Sequence, residues 1–249
     1  MERLNTYFVS DFHLGVPSKE ASDIRERQIV KWLDSIKDNA KTLYLLGDIF
    51  DFWFEYKKVV PKGYIRLLGK LAELSDDGIE IKYFIGNHDM WVFDYFEKEL
   101  GITIYENPIE EIINGKAFYI GHGDGLGKGD YGYKMIKAIF RSKICQFLFG
   151  IIHPNIGISL GNYWSGKSRL ANGYKDELLR DENKEFLISF SKQYLKNRNI
   201  DYFIFGHRHL PLDINLNGKS RYINTGEWIY NKSYAIFDGE NLQLKKYIE

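Results

Sequence analysis

Short apolar runs of strand length recur along the chain and end in polar clusters. They lie at residues 7–10, 42–46, 79–85, 102–105, 110–113, 117–120, 202–205 and 221–224. Between the first runs, Ile29, Leu33 and Ile36 recur at helical spacing, and a second helix is predicted from Tyr64 to Leu74. Because buried strands alternate with helices, the pattern predicts an α/β fold.

The strand pattern is interrupted between residues 125 and 199. Residues 132–153 predict an amphipathic helix that continues into a very apolar one, and residues 173–196 predict a further helix. We therefore predict a core formed by residues 1–124 and 200–249, with residues 125–199 as a helical insertion between its two halves.

Composition limits the cellular setting. The 249-residue chain is 44% hydrophobic and has one cysteine, Cys145, so an intramolecular disulfide is excluded and a reducing compartment is favoured. No apolar segment reaches the roughly 20 residues of a membrane-spanning helix, and the first residues do not have the pattern of a secretory signal. We expect a cytoplasmic protein that can still touch a membrane surface.

Charge is distributed unevenly, although the formal net charge is zero. Residues 126–175 contain eight lysine or arginine residues and one acid, Asp130, which gives this segment a net charge of +7. The same segment contains the apolar run ICQFLFGII, so it could attract an anionic lipid and hold apolar chains. The alternative is a helical pair whose apolar face belongs to the core.

Five of the six histidines stand beside glycine or aspartate in the clusters that follow the strands. They are His13, His88, His122, His207 and His209. Loops at the carboxyl ends of strands are where α/β sheets build their sites. For any single histidine a core or surface role stays open, and the aspartates and asparagines could be helix caps or turn residues. The recurrence of the pattern favours one shared site.

The mixture of aspartate, asparagine and histidine indicates transition-metal chemistry. These donors suit Mn²⁺, Fe or Zn²⁺, whereas Ca²⁺ prefers oxygen donors alone. The candidates outnumber the ligands of a single zinc ion and match a two-metal site in which one carboxylate bridges both ions. Asp48, alone after an apolar strand, is the expected bridge. The candidate metal ligands are Asp11, His13, Asp48, Asn87, His122, His207 and His209.

The order of these motifs resembles the calcineurin-like metallophosphoesterase family. The matching motifs are Asp11-x-His13, Gly47-Asp48-x-x-Asp51, Gly86-Asn87-His88-Asp89, Gly121-His122-Gly-Asp124 and Gly206-His207-x-His209. The match runs from residue 8 to residue 209 and covers every motif of the family. The resemblance implies a four-layer α/β/β/α sandwich.

The resemblance also implies roles for the motif residues. One metal would be held by Asp11, His13, Asp48 and His209, and the other by Asp48, Asn87, His122 and His207. His88 would stabilise or protonate at the phosphate, with Asp89 orienting it. Two ions neutralise phosphate oxygens and lower the pKa of a shared water that attacks phosphorus. The implied cofactors are two divalent ions, with Mn²⁺ expected and Fe or Zn²⁺ as alternatives.

Within the family, the chain is similar to the group of UDP-2,3-diacylglucosamine pyrophosphatases. The similarity is carried by SDFHLG, GDIFDFW, the short HGD motif, and a helical insertion ahead of GHRH and NTGEW. It implies cleavage of the pyrophosphate at the α-phosphorus to a lipid monosaccharide 1-phosphate and UMP, in lipid A biosynthesis. The insertion would be a lid that receives the acyl chains, and the protein would work at the inner membrane surface.

The implied substrate contacts lie at the metal loops and in the last part of the insertion. They are Asn87, His88, Lys167, Ser168, Arg169, Asn172, Lys175 and His207. Lysine and arginine beside a pyrophosphate have an electrostatic role, although the same charges could be solvated on a helix face. The expected partners are a nucleotide-linked lipid and an anionic membrane surface; no nucleic acid and no protein partner is inferred.

One residue departs from the pyrophosphatase group. Many of its members have arginine where this chain has His88, whereas histidine is usual across the wider family. A hydrolase of a soluble phosphodiester or phosphomonoester therefore stays open as a second hypothesis. A non-catalytic scaffold on the same fold is a third hypothesis, and the complete ligand set argues against it.

Overall fold

The computed structural model describes residues 3–127, 131–172 and 185–248, with residues 168–172 described by their backbone. Within these ranges the strands are β1 (Asn5–Val9), β2 (Ala40–Leu45), β3 (Glu80–Phe84), β4 (Thr103–Tyr105), β5 (Ile109–Ile113), β6 (Lys116–Ile120), β7 (Tyr202–Phe205), β8 (Pro211–Asn215), β9 (Arg221–Thr225), β10 (Ser233–Phe237) and β11 (Leu242–Lys246). The helices are α1 (Lys19–Ile36), α2 (Ile65–Asp76), α3 (Tyr95–Leu100), α4 (Tyr131–Arg141), α5 (Lys143–Ile151), α6 (Pro154–Asn172) and α7 (Phe186–Tyr194).

The strands form two mixed sheets. The first has the order β11-β10-β1-β2-β3-β4. Strands β1 to β4 are parallel to one another, and β10 pairs antiparallel with both β1 and β11. The second has the order β5-β6-β7-β9-β8, in which β6, β7 and β9 are parallel. The carboxyl ends of the parallel strands in each sheet therefore lie together, which is where loops can form a site.

Alternating residues of β1 face different layers of the fold. Tyr7 and Val9 pack among residues of α1 and α2 on the outer side of the first sheet. Phe8 faces the second sheet and stacks on Phe118, with ring centroids 5.8 Å apart. Burial on both faces explains why the strands read as continuous apolar runs. The structure therefore confirms three of the four predicted layers: the helices α1 and α2, the first sheet and the second sheet.

The fourth layer is α7. Leu187 and Ile188 of this helix are buried and pack with Phe203 and Tyr222 on the outer face of the second sheet. This completes the predicted four-layer α/β/β/α sandwich.

Helices α4, α5 and α6 come between β6 and α7 in the chain. Phe149 of α5 packs against Phe52, Phe54 and Trp91, which lie in the loops after β2 and β3. These helices therefore lie over the loop edge of the first sheet. In the described ranges no helix has both the length and the apolarity needed to cross a bilayer.

The strand predictions agree with the structure within two residues at each end. Strands β8, β10 and β11 were not predicted. The helix predicted over residues 132–153 is interrupted at Ser142, whose extended backbone (φ −65°, ψ 127°) separates α4 from α5. Helix α6 was not predicted as a separate element. The helix predicted over residues 173–196 lies partly outside the described residues, and its described part contains α7.

Candidate active site

Loops at the carboxyl ends of the strands bring the predicted metal residues to one place. The residues after β1 are Asp11 and His13, those after β2 and β3 are Asp48 and Asn87, and those after β6 and β7 are His122, His207 and His209. Within the loop after β1, Arg25 of α1 donates to the carbonyl oxygens of Phe12 (2.7 Å) and His13 (2.6 Å). This buried arginine holds the loop in place, and no sequence pattern indicated this role.

Asp11, His13, Asp48 and His209 form the first cluster. One side-chain donor atom from each lies within 4.8 Å of the others. His209 Nε2 is 3.2 Å from Asp11 Oδ1, and His13 Nε2 is 3.6 Å from the same oxygen. All four were predicted to share one metal, and the structure brings all four together.

The second cluster gathers around Asn87. Its Oδ1 atom is 3.0 Å from His122 Nε2 and 2.8 Å from His207 Nδ1. Asp48 Oδ2 joins the two clusters, because it lies 3.4 Å from His122 Nε2 and 3.8 Å from His13 Nε2. The residue predicted to bridge two ions therefore stands between the two predicted ligand sets.

The donor set of the first cluster fits a bound cation. Asp11 Oδ1 is buried and accepts no hydrogen bond of good geometry among the described residues, although His209 Nε2 lies 3.2 Å away. The Nε2 atoms of His13 and His209 face each other at 3.0 Å, where only one of them could carry a shared proton. Buried polar atoms normally have partners, so donors that converge without one are a suitable cradle for a metal.

Two buried carboxylates remain anionic at this edge. Burial acts to raise the pKa of Asp11, but its interactions with the adjacent rings of His13 and His209 outweigh this effect, and the pKa is held below its usual value. Burial also acts to raise the pKa of Asp48, where the positive charge of His122 prevails and lowers it. Because isolated buried anions are costly, this negative charge favours cations at the site.

The histidines of the site differ in protonation. Burial lowers the pKa of His88 and of His207 to about 4, so both are neutral near pH 7. Burial also acts to lower the pKa of His122, but the charge of Asp48 outweighs it and raises the pKa to about 10. A metal that binds at His122 must displace this proton, since only the neutral ring coordinates.

The backbone of these loops is strained. Asp11, His13, Asp48, His207 and His209 have φ between 45° and 69°. In the described ranges, only three other non-glycine residues have positive φ. Such conformations are costly for residues with a Cβ and concentrate at functional sites. Five of the seven predicted metal ligands therefore have this costly backbone conformation.

Gly86 allows Asp48 to approach the loop after β3. A Cβ atom on Gly86 would overlap the backbone nitrogen and Oδ1 of Asp48 and would lie 2.9 Å from its Cγ. The backbone N–H of His88 donates to the same carboxylate at 2.8 Å. The glycine of this motif is therefore required by contact with the predicted bridging ligand.

We expect Gly86→Ala to destabilise the fold by about 1–3 kcal/mol, the usual cost of an overpacked buried position, and to reduce metal binding. Urea unfolding and metal analysis of the purified variant measure the two effects. Gly69→Ala is the matched control, because Gly69 lies in α2 with nothing within 4 Å of the added Cβ. A Gly86→Ala variant as stable and as metal-rich as the control would contradict this explanation.

The His88 ring contacts two residues to which the family resemblance assigned no role. Its Nδ1 atom is 2.7 Å from Ser165 Oγ of α6 and 3.1 Å from the carbonyl oxygen of Asp51. The Asp89 carboxylate instead accepts hydrogen bonds from the backbone of Gly86 and Ile49, at 2.7 and 2.9 Å. The Tyr83 hydroxyl also donates to Asp89 Oδ2. The orienting role predicted for Asp89 stays a prediction, and its bonds to Gly86 and Ile49 would act through the loop backbone.

The predicted substrate contacts of the insertion are only partly described. Lys167 is exposed, and its Nζ lies 4.9 Å from the ring centroid of Tyr163. Ser168, Arg169 and Asn172 lie in α6, where only the backbone is described, and Lys175 lies outside the described residues. The role of these residues stays a prediction.

An apolar cavity of about 180 Å³ adjoins the second cluster. The cavity lies between the loops of the first sheet and the helices α4 and α6, and its polar lining consists of Asp51, Asn87, His88, Tyr133 and Ser165. Its apolar lining consists of Phe52, Trp53, Met90, Trp91, Ile136, Phe140 and Trp164. The cavity therefore places apolar walls directly beside the candidate metal site.

Known proteins are similar to this chain over most of its length. The calcineurin-like phosphoesterase family model matches residues 4–211. A UDP-2,3-diacylglucosamine hydrolase of Porphyromonas gingivalis is 40% identical and covers 98% of this chain and 97% of its own. A UDP-2,3-diacylglucosamine hydrolase of Proteus mirabilis is 29% identical and covers 96% of this chain and 97% of its own. The structure of Yfce, a phosphoesterase from E. coli, covers 97% of this chain and 92% of its own, with a TM-score of 0.47 and 15% identity.

The family match includes every loop of the candidate site, from the one after β1 to the one after β7. It extends over far more than half of the chain. The identity to the P. gingivalis protein, along nearly the full length of both chains, supports the same assignment. This chain belongs to the calcineurin-like phosphoesterase family and is a metal-dependent hydrolase.

Proposed function

We propose that the chain hydrolyses the pyrophosphate of UDP-2,3-diacylglucosamine at the α-phosphorus, giving a lipid monosaccharide 1-phosphate and UMP. The observation that carries this proposal is the 40% identity to a protein named UDP-2,3-diacylglucosamine hydrolase, over nearly the whole of both chains. The reaction would be a step of lipid A biosynthesis.

The two clusters would hold the metal ions. The first ion would take Asp11, His13, Asp48 and His209, and the second would take Asp48, Asn87, His122 and His207. Two divalent ions bound there, for which we expect Mn²⁺ with Fe or Zn²⁺ as alternatives, would supply charge that neutralises phosphate oxygens and lowers the pKa of the attacking water.

The remaining side chains would act on the substrate directly. Asn87 and His207, at the second cluster, would contact a phosphate oxygen. His88 lines the apolar cavity and would stabilise or protonate the phosphate from that side. Asp89 would support this loop through its bonds to the backbone of Gly86 and Ile49.

The apolar cavity would receive the first part of the acyl chains. Ile136 and Trp164 line it and are also 46% and 45% exposed, so the cavity is open on the side of α4 and α6. Long chains could therefore continue along the apolar faces of these helices. The insertion predicted over residues 125–199 would act as a lid over this cavity.

Removal of the acyl chains should reduce kcat/KM by about 10²-fold or more, since each buried CH₂ contributes about 0.8 kcal/mol. The measurement compares UDP-2,3-diacylglucosamine with its deacylated form under identical metal and detergent conditions. Equal turnover of both compounds would exclude the lipid substrate and favour a hydrolase of soluble phosphoesters. Absence of turnover with any divalent ion, although two ions are bound, would favour the scaffold.

We further propose that α5 attaches the protein to the cytoplasmic face of the inner membrane. Ile144, Phe147, Leu148 and Ile151 are between 57% and 71% exposed and follow one another at helical spacing. They form a continuous apolar stripe, which is typical of helices that lie in a membrane interface. Lys143 begins the same helix, and the segment around it is strongly basic, which suits anionic lipid headgroups.

The double variant Phe147→Glu/Ile151→Glu should bind at least about 10-fold less to vesicles of phosphatidylethanolamine and phosphatidylglycerol, because burial of each side chain is worth roughly 1.5–3 kcal/mol. Co-sedimentation measures the bound fraction. Tyr230→Glu is the control, since Tyr230 is 83% exposed but lies outside the insertion. Equal binding by the wild type, the double variant and the control would contradict attachment through α5.

A further inference from the structure

Helix α6 lies unusually close to the loop after β2. Gly157, Gly161 and Ser165 follow one another at intervals of four residues and so share one face of the helix. A Cβ on Gly161 would overlap the ring of Phe52, and a Cβ on Gly157 would overlap Tyr56 Oη. The two glycines allow the helix backbone to rest on these aromatic side chains, and this close approach carries Ser165 to the candidate active site.

Ser165 uses its hydroxyl outside its own helix. A serine inside a helix commonly donates to the carbonyl four residues earlier, as Ser159 does to Asn155 at 2.7 Å. Ser165 instead donates to Asp51 Oδ2 at 2.6 Å and lies 2.7 Å from His88 Nδ1. Its side chain is buried, with 9% of the residue exposed. The hydroxyl therefore connects α6 to the loop after β2 and to the His88 ring.

The partners of His88 Nδ1 determine which ring nitrogen carries the proton. The Asp51 carboxylate accepts the single hydroxyl proton of Ser165, so Ser165 Oγ can only accept from His88. The other neighbour of Nδ1, the Asp51 carbonyl oxygen at 3.1 Å, is also only an acceptor. Both contacts require Nδ1 to be the donor. In the neutral ring, Nε2 is then the atom free to exchange a proton with substrate.

We infer that Ser165 is a positioning residue, which holds the His88 ring in the Nδ1–H tautomer and so couples the docking of α6 to the reaction. The inference rests on the proposed function for its kinetic consequence, while the tautomer itself does not depend on the substrate. Ser165 is supplied by the insertion and His88 by the core. An insertion that is not docked would leave the metal ligands in place but His88 without this partner.

Two measurements on Ser165→Ala test the inference. In the wild type loaded with diamagnetic Zn²⁺, NMR of ¹⁵N-labelled histidine should show a protected His88 Nδ1–H signal, assigned by its loss in His88→Ala. The signal should disappear through exchange with water in Ser165→Ala and persist in the matched control Ser159→Ala. An Nε2–H tautomer in the wild type, or an unchanged Nδ1–H signal in Ser165→Ala, would overturn the inference.

The kinetic measurement uses UDP-2,3-diacylglucosamine. We expect Ser165→Ala to lower kcat about 10-fold, the usual scale for an outer partner of a site histidine, with little change in KM or in metal content. Ser165→Thr, which keeps the hydroxyl, should recover most of the loss. In a His88→Ala background, Ser165→Ala should have no further effect; a second 10-fold loss there would show that Ser165 acts elsewhere. If the wild type does not hydrolyse this substrate, the proposed function fails, and the NMR result still decides the tautomer.

Discussion

Asp48→Ala is expected to lose both metal ions and all measurable activity. Asp48 Oδ2 lies between His122 Nε2 and His13 Nε2, at 3.4 and 3.8 Å, so the side chain belongs to both ligand clusters. Its removal takes away the single negative charge that the two clusters share, and it deprives His122 of its neighbouring carboxylate, whereas Asp11 still lies beside His13 and His209. The loss of activity should exceed the roughly 10²–10⁴-fold expected for one acid–base group, because the cofactors themselves are lost.

Metal content per polypeptide, measured by mass spectrometry after removal of free ions, checks this result alongside turnover. Asp201→Asn is the control. Its carboxylate accepts a hydrogen bond from Ala117 N–H at 2.8 Å, at the amino end of β6 and therefore away from the metal loops. This variant should keep two ions and its activity. Two ions retained in Asp48→Ala would refute Asp48 as the bridge.

His88→Ala is expected to keep both ions while kcat falls by roughly 10²–10⁴-fold, the range for a lost acid–base group. The metals should remain because the contact of residue 88 with Asp48 Oδ1 is made by its backbone N–H, at 2.8 Å, and survives the substitution. The ring itself faces the apolar cavity and Ser165. The variant therefore removes a group beside the substrate and leaves the clusters intact.

Steady-state kinetics and metal analysis of the same preparation separate these effects. His153→Ala is the matched control, because His153 is exposed and lies outside the five motifs. It should behave as the wild type. Loss of metal from His88→Ala would show that His88 is a ligand, and unchanged kcat would show that the ring has no part in the reaction.

The central strands could be predicted from the sequence because burial on both faces produces uninterrupted apolar runs, as in residues 42–46 and 202–205. Strands β8 and β11 could not, because exposed polar residues such as Asp213 and Lys245 interrupt their apolar pattern. Prediction also did not separate α4 from α5, since the break at Ser142 depends on its backbone conformation.

The metal loops could be predicted because each joins a histidine, an aspartate or an asparagine to a glycine at a strand end. Arg25 and Ser165 could not be predicted in the same way. Each lies inside a helix pattern and acts on residues brought close by folding; Ser165 is 114 positions from Asp51. The sequence therefore indicates the donors of the site, whereas the groups that orient them become visible only in three dimensions.

The most direct test of the proposed reaction is the position of solvent oxygen in its products. The Mn²⁺-loaded protein would hydrolyse UDP-2,3-diacylglucosamine in H₂¹⁸O, with both products analysed by mass spectrometry. Attack on the α-phosphorus predicts one ¹⁸O atom in UMP and none in the lipid 1-phosphate. Label in the lipid 1-phosphate, or no turnover with any divalent ion, would contradict the account.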